Sequence, residues 1–508
     1  MSQMDSNSKP TNNSRELGTY HPLLSESIDR FLVEFRNGAT DFSNFTSIFS
    51  RLLHNSPDPP LEVVWFYSAL TFHADKSTVQ DPSQRVCATK GLFQLLSSCS
   101  CSCNAVTKAA ALAPVVYELC CLLSDEKCSK SEAESLLEGV ISYISLCNTQ
   151  EAEEDYRLSS HFVDLLGVWM VDRIGESNGV RIDYFRAFFP IISEEVRGSI
   201  VLGCGVGYLA GVVMCEAFLL RLCLMFEKGL SKMEVEKNAH HCAVQMITGV
   251  RSLYLLDVLL KMLLEPVLPV NYLLGPENEV FLREVLYDAV ITVEYSFFNP
   301  GGRILLSNKQ LTNLALMWLC VADSAIQFVR ENSNQTKLFS YLTAFSKSCL
   351  PSQLLKWVSN QAGMEEAGIR NLSTPASLIK WLLIVQDQGL EIFESDICKI
   401  YAKAVVCKPT VEYNIPAVNL AAPGLLKSTP INGVRKREEG SKVEGQKPFK
   451  CVKFASHDNS MIEKLFPSVN DGGLSSGSEV DNPVSDEDMQ DIGGMEDMEQ
   501  EILIDTSS

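Results

Sequence analysis

The sequence lacks the short motifs that mark most metal and nucleotide sites. It contains neither H-E-x-x-H nor a Walker loop, and none of its 17 cysteines forms a C-x2-C pair. Only Cys99 and Cys103 have C-x3-C spacing. His240, His241 and Cys242 are consecutive, and adjacent side chains on a helix point about 100° apart, so they do not share an ion. We therefore expect no metal, no cofactor, no catalytic residue and free thiols.

The chain also has few basic residues and no export signal. Its formal net charge is −20, and residues 455–508 hold fourteen acids against one base, Lys464. The remaining chain is closer to neutral, which argues against the broad cationic face that nucleic-acid binding requires. The N-terminus, MSQMDSNSKPTNNSRELG, has no apolar segment of the secretory type, so we expect a reducing compartment inside the cell.

Strict alternation of apolar and polar residues, which is typical of half-buried strands, is nearly absent. VITVEYSFF, residues 290–298, is the best strand candidate, and it equally continues a helical pattern. Helical spacing dominates the rest of the chain up to residue 408 and predicts roughly 14 to 18 helices. Its main blocks are 157–174, 240–264, 278–296, 308–331, 335–347, 351–361, 375–386 and 391–406.

These helical blocks follow one another without a fixed sequence period. Many helices in series, without a strand-helix-strand rhythm, are typical of an α-solenoid or another stacked array. The helical texture is nearest to that of the armadillo/HEAT class, although no diagnostic motif accompanies it. We predict an all-α chain with a disordered arm over residues 1–20, an irregular α-solenoid over 21–408 and a long disordered, acidic tail over 409–508.

The glycine-rich stretch GSIVLGCGVGYLAGVVMC, residues 198–215, allows three interpretations. Its VLGCGVG part, residues 201–207, resembles the first motif of S-adenosylmethionine-dependent methyltransferases, which implies a cofactor loop between a strand and a helix. Eighteen uncharged residues are also long enough, at the short end of the range, to span a membrane. The third interpretation is one long buried helix over about residues 198–228.

The residues that follow favour the buried helix. The chain from Leu209 to Glu227 leaves no room for the helix, turn and second strand of a methyltransferase domain. Glu216 interrupts the continuation of a membrane span, and we judge no other segment to be a convincing span. Glycines at i, i+4 and i+8 share one helix face and let a neighbouring helix approach closely. The residues predicted to pack in this way are Gly203, Gly207 and Gly211.

The C-terminal tail carries a basic cluster over residues 435–453, followed by acids and serines. The nuclear-import candidates in this cluster are Arg435, Lys436 and Arg437. Three serines precede an acid by three residues, which is the spacing that acidophilic kinases prefer, so we predict their phosphorylation. They are Ser476, Ser478 and Ser485.

Two apolar islands in the tail are candidates for partner binding. The first resembles a SUMO-interacting motif, which adds a short strand to the edge of a partner's sheet. It consists of Ile502, Leu503, Ile504 and Asp505. The second would line one face of a helical turn that docks in a groove. It consists of Met461, Ile462, Leu465 and Phe466.

Taken together, these patterns predict a non-enzymatic scaffold or adaptor subunit. It would bind protein partners through the helical array and a regulated tail. A chromatin or genome-maintenance complex is the assembly that we expect it to join. We expect a nuclear location, with the cytoplasm as the alternative, and neither direct nucleic-acid binding nor membrane insertion. The alternative functions are a methyltransferase that uses the 201–207 loop and a membrane-associated helical protein that spans at 198–215.

Overall fold

The computed structural model describes the following residues: 13–76, 82–125, 130–147, 157–158, 161–171, 182–201, 204–298, 307–363, 373–393 and 396–407. These residues form 19 α-helices and one 3-10 turn. Within them no strand is present, and the one β-type contact is an isolated antiparallel bridge between Arg157 and Gly205. The predicted all-α class is confirmed.

The first ten helices are α1 (Asn13–Arg36), α2 (Ser43–Asn55), α3 (Leu61–Lys76), α4 (Pro82–Cys99), α5 (Ala105–Ala111), α6 (Ala113–Leu123), α7 (Lys130–Cys147), α8 (Phe162–Trp169), α9 (Ile182–Phe188) and α10 (Glu194–Val201). The others are α11 (Val206–Phe226), α12 (Lys232–Val250), α13 (Leu253–Leu264), α14 (Asn271–Thr292), α15 (Asn308–Glu331), α16 (Gln335–Lys347), α17 (Cys349–Ala362), α18 (Pro375–Asp387) and α19 (Asp396–Cys407). The 3-10 turn covers Ser296–Phe298.

The described helices run from Asn13 to Cys407. Helix α1 includes residues 13–20, which belong to the arm predicted to be disordered, and its residues Leu24, Ile28 and Phe31 are buried.

Polar residues at the helix starts explain several boundaries. Ser231 and Glu234 form a capping box at the start of α12, in which each side chain bonds the other residue's backbone N–H. Helix α12 ends where Arg251 adopts a left-handed conformation with φ of 52°, and the Ser252 side chain then caps α13. This junction divides the predicted helical block 240–264 in two.

The glycine-rich stretch is not one helix, so the prediction of a single helix over 198–228 is wrong. Helix α10 ends at Val201, and α11 begins at Val206 with Gly205 as an extended N-cap. Glycines clustered in Gly-Cys-Gly disfavour the helical conformation and favour a break there. A methyltransferase loop would follow a strand, whereas a helix precedes this break, so the 201–207 loop does not fit that role. A membrane span over 198–215 would likewise cross the break.

Helix α11 lies at the centre of the packing. It contacts α5, α6, α7, α10, α12, α13 and α14. Its side chains are buried on every face from Val206 to Leu224 with few exceptions. Large aromatic side chains stabilise the rest of the core, because each of them buries about 150–250 Å² of surface. The tryptophans buried most deeply are Trp65, Trp169 and Trp318.

From α11 to α15, each helix packs on the helix two positions further along the chain. One row consists of α11, α13, α15 and α17, and the second row, here named the even row, consists of α12, α14 and α16. The two rows contact each other through the pairs α11 with α12, α11 with α14, α14 with α15, and α15 with α16.

Three helical stretches among the described residues are long and apolar enough to cross a membrane. They are Ala105–Leu123, which comprises α5 and α6, together with α11 and α15. From the sequence we judge no segment besides the glycine-rich stretch to be a convincing span, whereas by length and composition two further stretches qualify as candidates. The buried shares of the three stretches are 83%, 83% and 78%. Other helices of the same chain cover them, so core packing accounts for their apolar composition.

Candidate functional site

An open groove crosses the solvent-facing side of the even row. Three adjoining cavities of about 440, 680 and 700 Å³ form it. The first two cavities share His240 and Val244, and the second and third share residues 292–294. Helix α12 provides one wall, α16 provides the other, and residues 291–297 form the floor. We name this feature the even-row groove.

Each wall is one face of a helix. The spacing of i, i+3, i+4 and i+7 places the lining residues of each helix on a single stripe. The α12 wall consists of Lys237, Asn238, His240, His241, Val244, Thr248 and Arg251. The α16 wall consists of Thr336, Phe339, Ser340, Thr343, Ala344 and Lys347. Cys242 is buried on the opposite side of α12, so the His-His-Cys run does not converge on one point.

The floor of the groove lies within residues 290–298, the best strand candidate in the sequence, and the structure forms no strand there. Helix α14 continues to Thr292, and a 3-10 turn follows at Ser296. Tyr295 is buried beneath the floor, where its hydroxyl donates to the Val290 carbonyl at 2.8 Å. The indole Nε1 of Trp318 donates to the same carbonyl at 3.1 Å. These two donors fix the floor to the core, so the groove is preformed.

Lys337 holds the two walls in position. Its Nζ atom lies 3.3 Å from Glu236 on α12, 2.6 Å from Glu284 on α14 and 2.9 Å from Asp288 on α14. Burial disfavours the charged amine, but the hydrogen bonds that it donates to Glu284 and Asp288 outweigh this effect and raise the pKa of Lys337. Tyr341, one turn further along α16, donates to Asp288. This network ties α16 to both other helices of the even row.

The lining of the groove carries more positive than negative charge. Lys237, Arg251 and Lys347 are exposed cations, and Glu294 is an exposed acid between them. The Arg251 guanidinium lies 5.9 Å from the centre of the Phe297 ring, and its Nε donates to the Thr248 carbonyl at 2.7 Å. These contacts orient one cation over the floor of the groove.

Two of the predicted close-packing glycines lie against α13. A Cβ atom at Gly207 would lie 2.5 Å from Cε1 of Tyr254, and one at Gly211 would lie 2.6 Å from the carbonyl carbon of the same residue. Both distances are far too short for real atoms, so α11 and α13 approach closely only because these positions have no side chain. Gly203 lies outside the described residues.

Glu216 is a charged residue inside the core rather than in the groove. Its carboxylate accepts a hydrogen bond from the Ile191 backbone N–H at 3.1 Å. Burial raises the pKa of Glu216 to about 8, although that hydrogen bond and nearby Arg197 oppose the shift. Arg197 itself donates to the Phe189 carbonyl at 2.8 Å. Both side chains hold the connection between α9 and α10 against α11.

The cysteine cluster at the end of α4 does not converge. Cys101 is exposed, whereas Cys103 is buried and donates to the Pro59 carbonyl with an S···O distance of 3.7 Å. Burial raises the pKa of the Cys103 thiol to about 12. In the part of the chain that the structure describes, no group of three or more His, Cys, Asp or Glu side chains could hold a metal ion.

The partner-binding, phosphorylation and import candidates of the tail, from Arg435 to Asp505, all lie outside the described residues. Sequence reasoning missed the even-row groove. A weak signal for it exists, because Lys, His, Thr and Arg recur at helical spacing along residues 237–251. That pattern is equally typical of any solvated helix face, and only the packing of α12 beside α14 and α16 makes it a wall.

The chain matches no family model, no curated protein and no solved structure.

Proposed function

We propose that the chain is a non-enzymatic scaffold or adaptor subunit that binds a protein partner in the even-row groove. The observation that carries this proposal is the groove itself, a preformed surface with two helical walls that spans three stacked helices. Exposed apolar surface inside such a groove is typical of a binding site. Phe339, whose exposed fraction is 62%, supplies it here.

We infer that α11 to α17 form an irregular α-solenoid. Support comes from the packing of each helix on the helix two positions along, which generates two rows. Solenoids use such rows as extended binding surfaces. The irregular helix lengths, such as 12 residues in α13 and 24 in α15, agree with the lack of a fixed sequence period.

The tail adds localisation and regulation to this proposal. We propose that Arg435, Lys436 and Arg437 direct nuclear import, and that the phosphorylated serines and the ILID segment modulate or add partner contacts. Membership of a chromatin or genome-maintenance complex follows from the same tail features. Replacing the three basic residues by alanine should move a tagged full-length chain from nucleus to cytoplasm, and an unchanged distribution would refute the import role.

The binding role is tested by affinity purification of the tagged full-length chain without detergent, followed by gel filtration and mass spectrometry. We expect stoichiometric partners with the native chain and their loss with Phe339→Ala. Ile400→Ala is the matched control, since Ile400 is 64% exposed on α19, away from the groove. If both variants retain the same partners as the native chain, the groove is not the binding surface.

A second function is favoured by a different observation, the three helices that are long and apolar enough to cross a membrane. A membrane-associated helical protein would expose them to lipid, with the span at α11 rather than at 198–215. Alkaline extraction of cell membranes separates the two functions. The scaffold is released into the supernatant, whereas a spanning protein stays in the pellet.

A further inference from the structure

We propose that the occupant of the even-row groove is an acidic segment of a partner protein with a central large apolar side chain. This inference rests on the proposed function and specifies the chemistry of the partner. Charge gives the first reason. The groove presents Lys237, Arg251 and Lys347, with His240 and His241 between them, against Glu294 alone among its lining residues. The chain as a whole carries a net charge of −20, so this cationic lining is a local exception.

Three carboxylates lie beside this lining and are not part of it. Glu236, Glu284 and Asp288 lie on the flank of the groove and are bound by Lys337, which neutralises part of their charge. Tyr341 adds a hydrogen bond to Asp288. Their side chains are thereby directed between the helices of the even row, while the cations of the two walls remain exposed to a ligand.

The apolar part of the groove gives the second reason. Phe339 is exposed on the α16 wall, and Val244 and Phe297 are half-buried in the α12 wall and the floor. A large apolar side chain placed among them would remove this surface from water, at roughly 25 cal/mol per Å². A purely ionic ligand would leave it exposed, so the ligand carries both charge and an apolar anchor.

The hydroxyl groups and the length of the even-row groove indicate the conformation and size of the ligand. Ser296 and Ser340 supply hydroxyl groups that can donate to a carboxylate. The hydroxyls of Thr248, Thr292 and Thr343 donate to backbone carbonyls of their own helices, so they only accept from an N–H of an extended backbone. The α12 wall runs from Lys237 to Arg251, which is roughly 20 Å at about 1.5 Å per residue. This length fits an extended segment of about six residues or a short helix.

The test uses the full chain and three labelled synthetic peptides in a fluorescence anisotropy titration. The first peptide has glutamates on both sides of a central Leu-Phe-Leu. The second replaces the three apolar residues with alanine, and the third replaces the glutamates with lysine. We expect saturable binding of the first peptide that weakens as salt rises, and affinities at least roughly tenfold weaker for the other two.

Variants locate the binding site. Arg251→Gly combined with Lys347→Gln removes two cations, and glycine accepts the left-handed backbone of Arg251 without strain. This variant should bind the acidic peptide roughly tenfold more weakly, as should Phe339→Ala. The matched controls are Lys90→Gln combined with Lys403→Gln, which removes two exposed cations outside the groove, and Ile400→Ala. Both controls should bind like the native chain.

Several results would overturn the proposal. Equal binding of the acidic and basic peptides, no binding of the acidic peptide, or unchanged affinity in the groove variants would each do so. Self-association of the native chain that Phe339→Ala abolishes, measured by light scattering, would make a second copy the occupant. If the groove variants lose co-purifying partners while the acidic peptide fails to bind, the scaffold function stands and only the acidic chemistry is wrong.

Discussion

Helices α11 and α16 show how differently two parts of one molecule constrain their sequences. Helix α11 is buried on all sides by seven other helices, and nearly every position along it contacts protein. Helix α16 buries only Tyr341 and Phe345 fully and turns its other face to the groove. Changes in α11 should therefore alter stability, whereas changes on the outer face of α16 should alter binding alone.

The largest expected loss of stability comes from adding a side chain where α11 and α13 pack closely together. Gly211→Ala would place a Cβ atom 2.6 Å from the carbonyl carbon of Tyr254, and a backbone atom cannot rotate away. Overpacking of this kind should lower the free energy of unfolding by about 3 kcal/mol in urea denaturation.

The control substitution, Gly139→Ala, is expected to raise the free energy of unfolding instead of lowering it. A Cβ atom added at Gly139 on α7 would have free space around it: apart from the adjoining backbone of α7, no atom lies within 4 Å. Gly139→Ala should therefore stabilise the protein by up to about 1 kcal/mol, because alanine is the better helix former. Equal losses of stability at both positions would show that α11 and α13 do not pack through bare backbone.

The second prediction concerns the buried acid of α11. The pKa of Glu216 is raised from its ordinary 4.5 to about 8, so the folded chain holds a proton that the unfolded chain releases. The contribution of Glu216 to the free energy of unfolding is fully present below about pH 4.5 and is lost as pH rises to about 8. Glu216→Gln keeps the acceptor for the Ile191 N–H without a charge to release.

The comparison of the variant with the native chain isolates this effect. The free energy of unfolding of Glu216→Gln relative to the native chain should rise by about 3.5 kcal/mol between pH 5 and pH 8. Glu391→Gln, at an exposed site, controls for the loss of one acid. A difference between Glu216→Gln and the native chain that stays constant with pH would show that Glu216 is ionised in the folded core.

The third prediction concerns the attachment of α16. Lys337→Met leaves Glu236, Glu284 and Asp288 close together without their cation. Because Lys337 is 24% exposed, solvent screens part of the repulsion, and we expect a loss of about 2 kcal/mol in urea denaturation. Hydrogen exchange should quicken in α16 first. Lys403→Met on α19 should change neither measurement, and unaltered exchange in α16 after Lys337→Met would contradict the role of this lysine.

The sequence predicts isolated helices better than their junctions. The blocks 308–331 and 335–347 coincide with α15 and α16, because Ser307 and Asn334 cap their starts with side-chain hydrogen bonds. The block 240–264 is two helices, because Arg251 ends α12 without the glycine or proline that would have indicated a stop. The break at Gly205 was not predicted, because the apolar residues after Val206 continue the uncharged stretch before it. The spacing of apolar residues does not by itself indicate where a helix starts.

The groove is harder to predict for a different physical reason. Its walls are residues 237–251 and 336–347, which are far apart in the chain and meet only because α14 packs between them. Each wall taken alone has the composition of a solvated helix face. The packing partners of α12 and α16 are therefore the missing information, and no local pattern supplies them.

The smallest expected effect on stability comes from the outer face of α16, and a substitution on the buried face of the same helix provides the comparison. Phe339→Ala removes a side chain that is 62% exposed, so the free energy of unfolding should change by less than about 0.5 kcal/mol. Phe345→Ala, two turns along the same helix, removes a buried ring that stacks on Trp318 and should cost about 3 kcal/mol. Urea denaturation measures both. If Phe339→Ala is as destabilising as Phe345→Ala, the outer face of α16 is part of the core, and the loss of partners in that variant reports unfolding rather than binding.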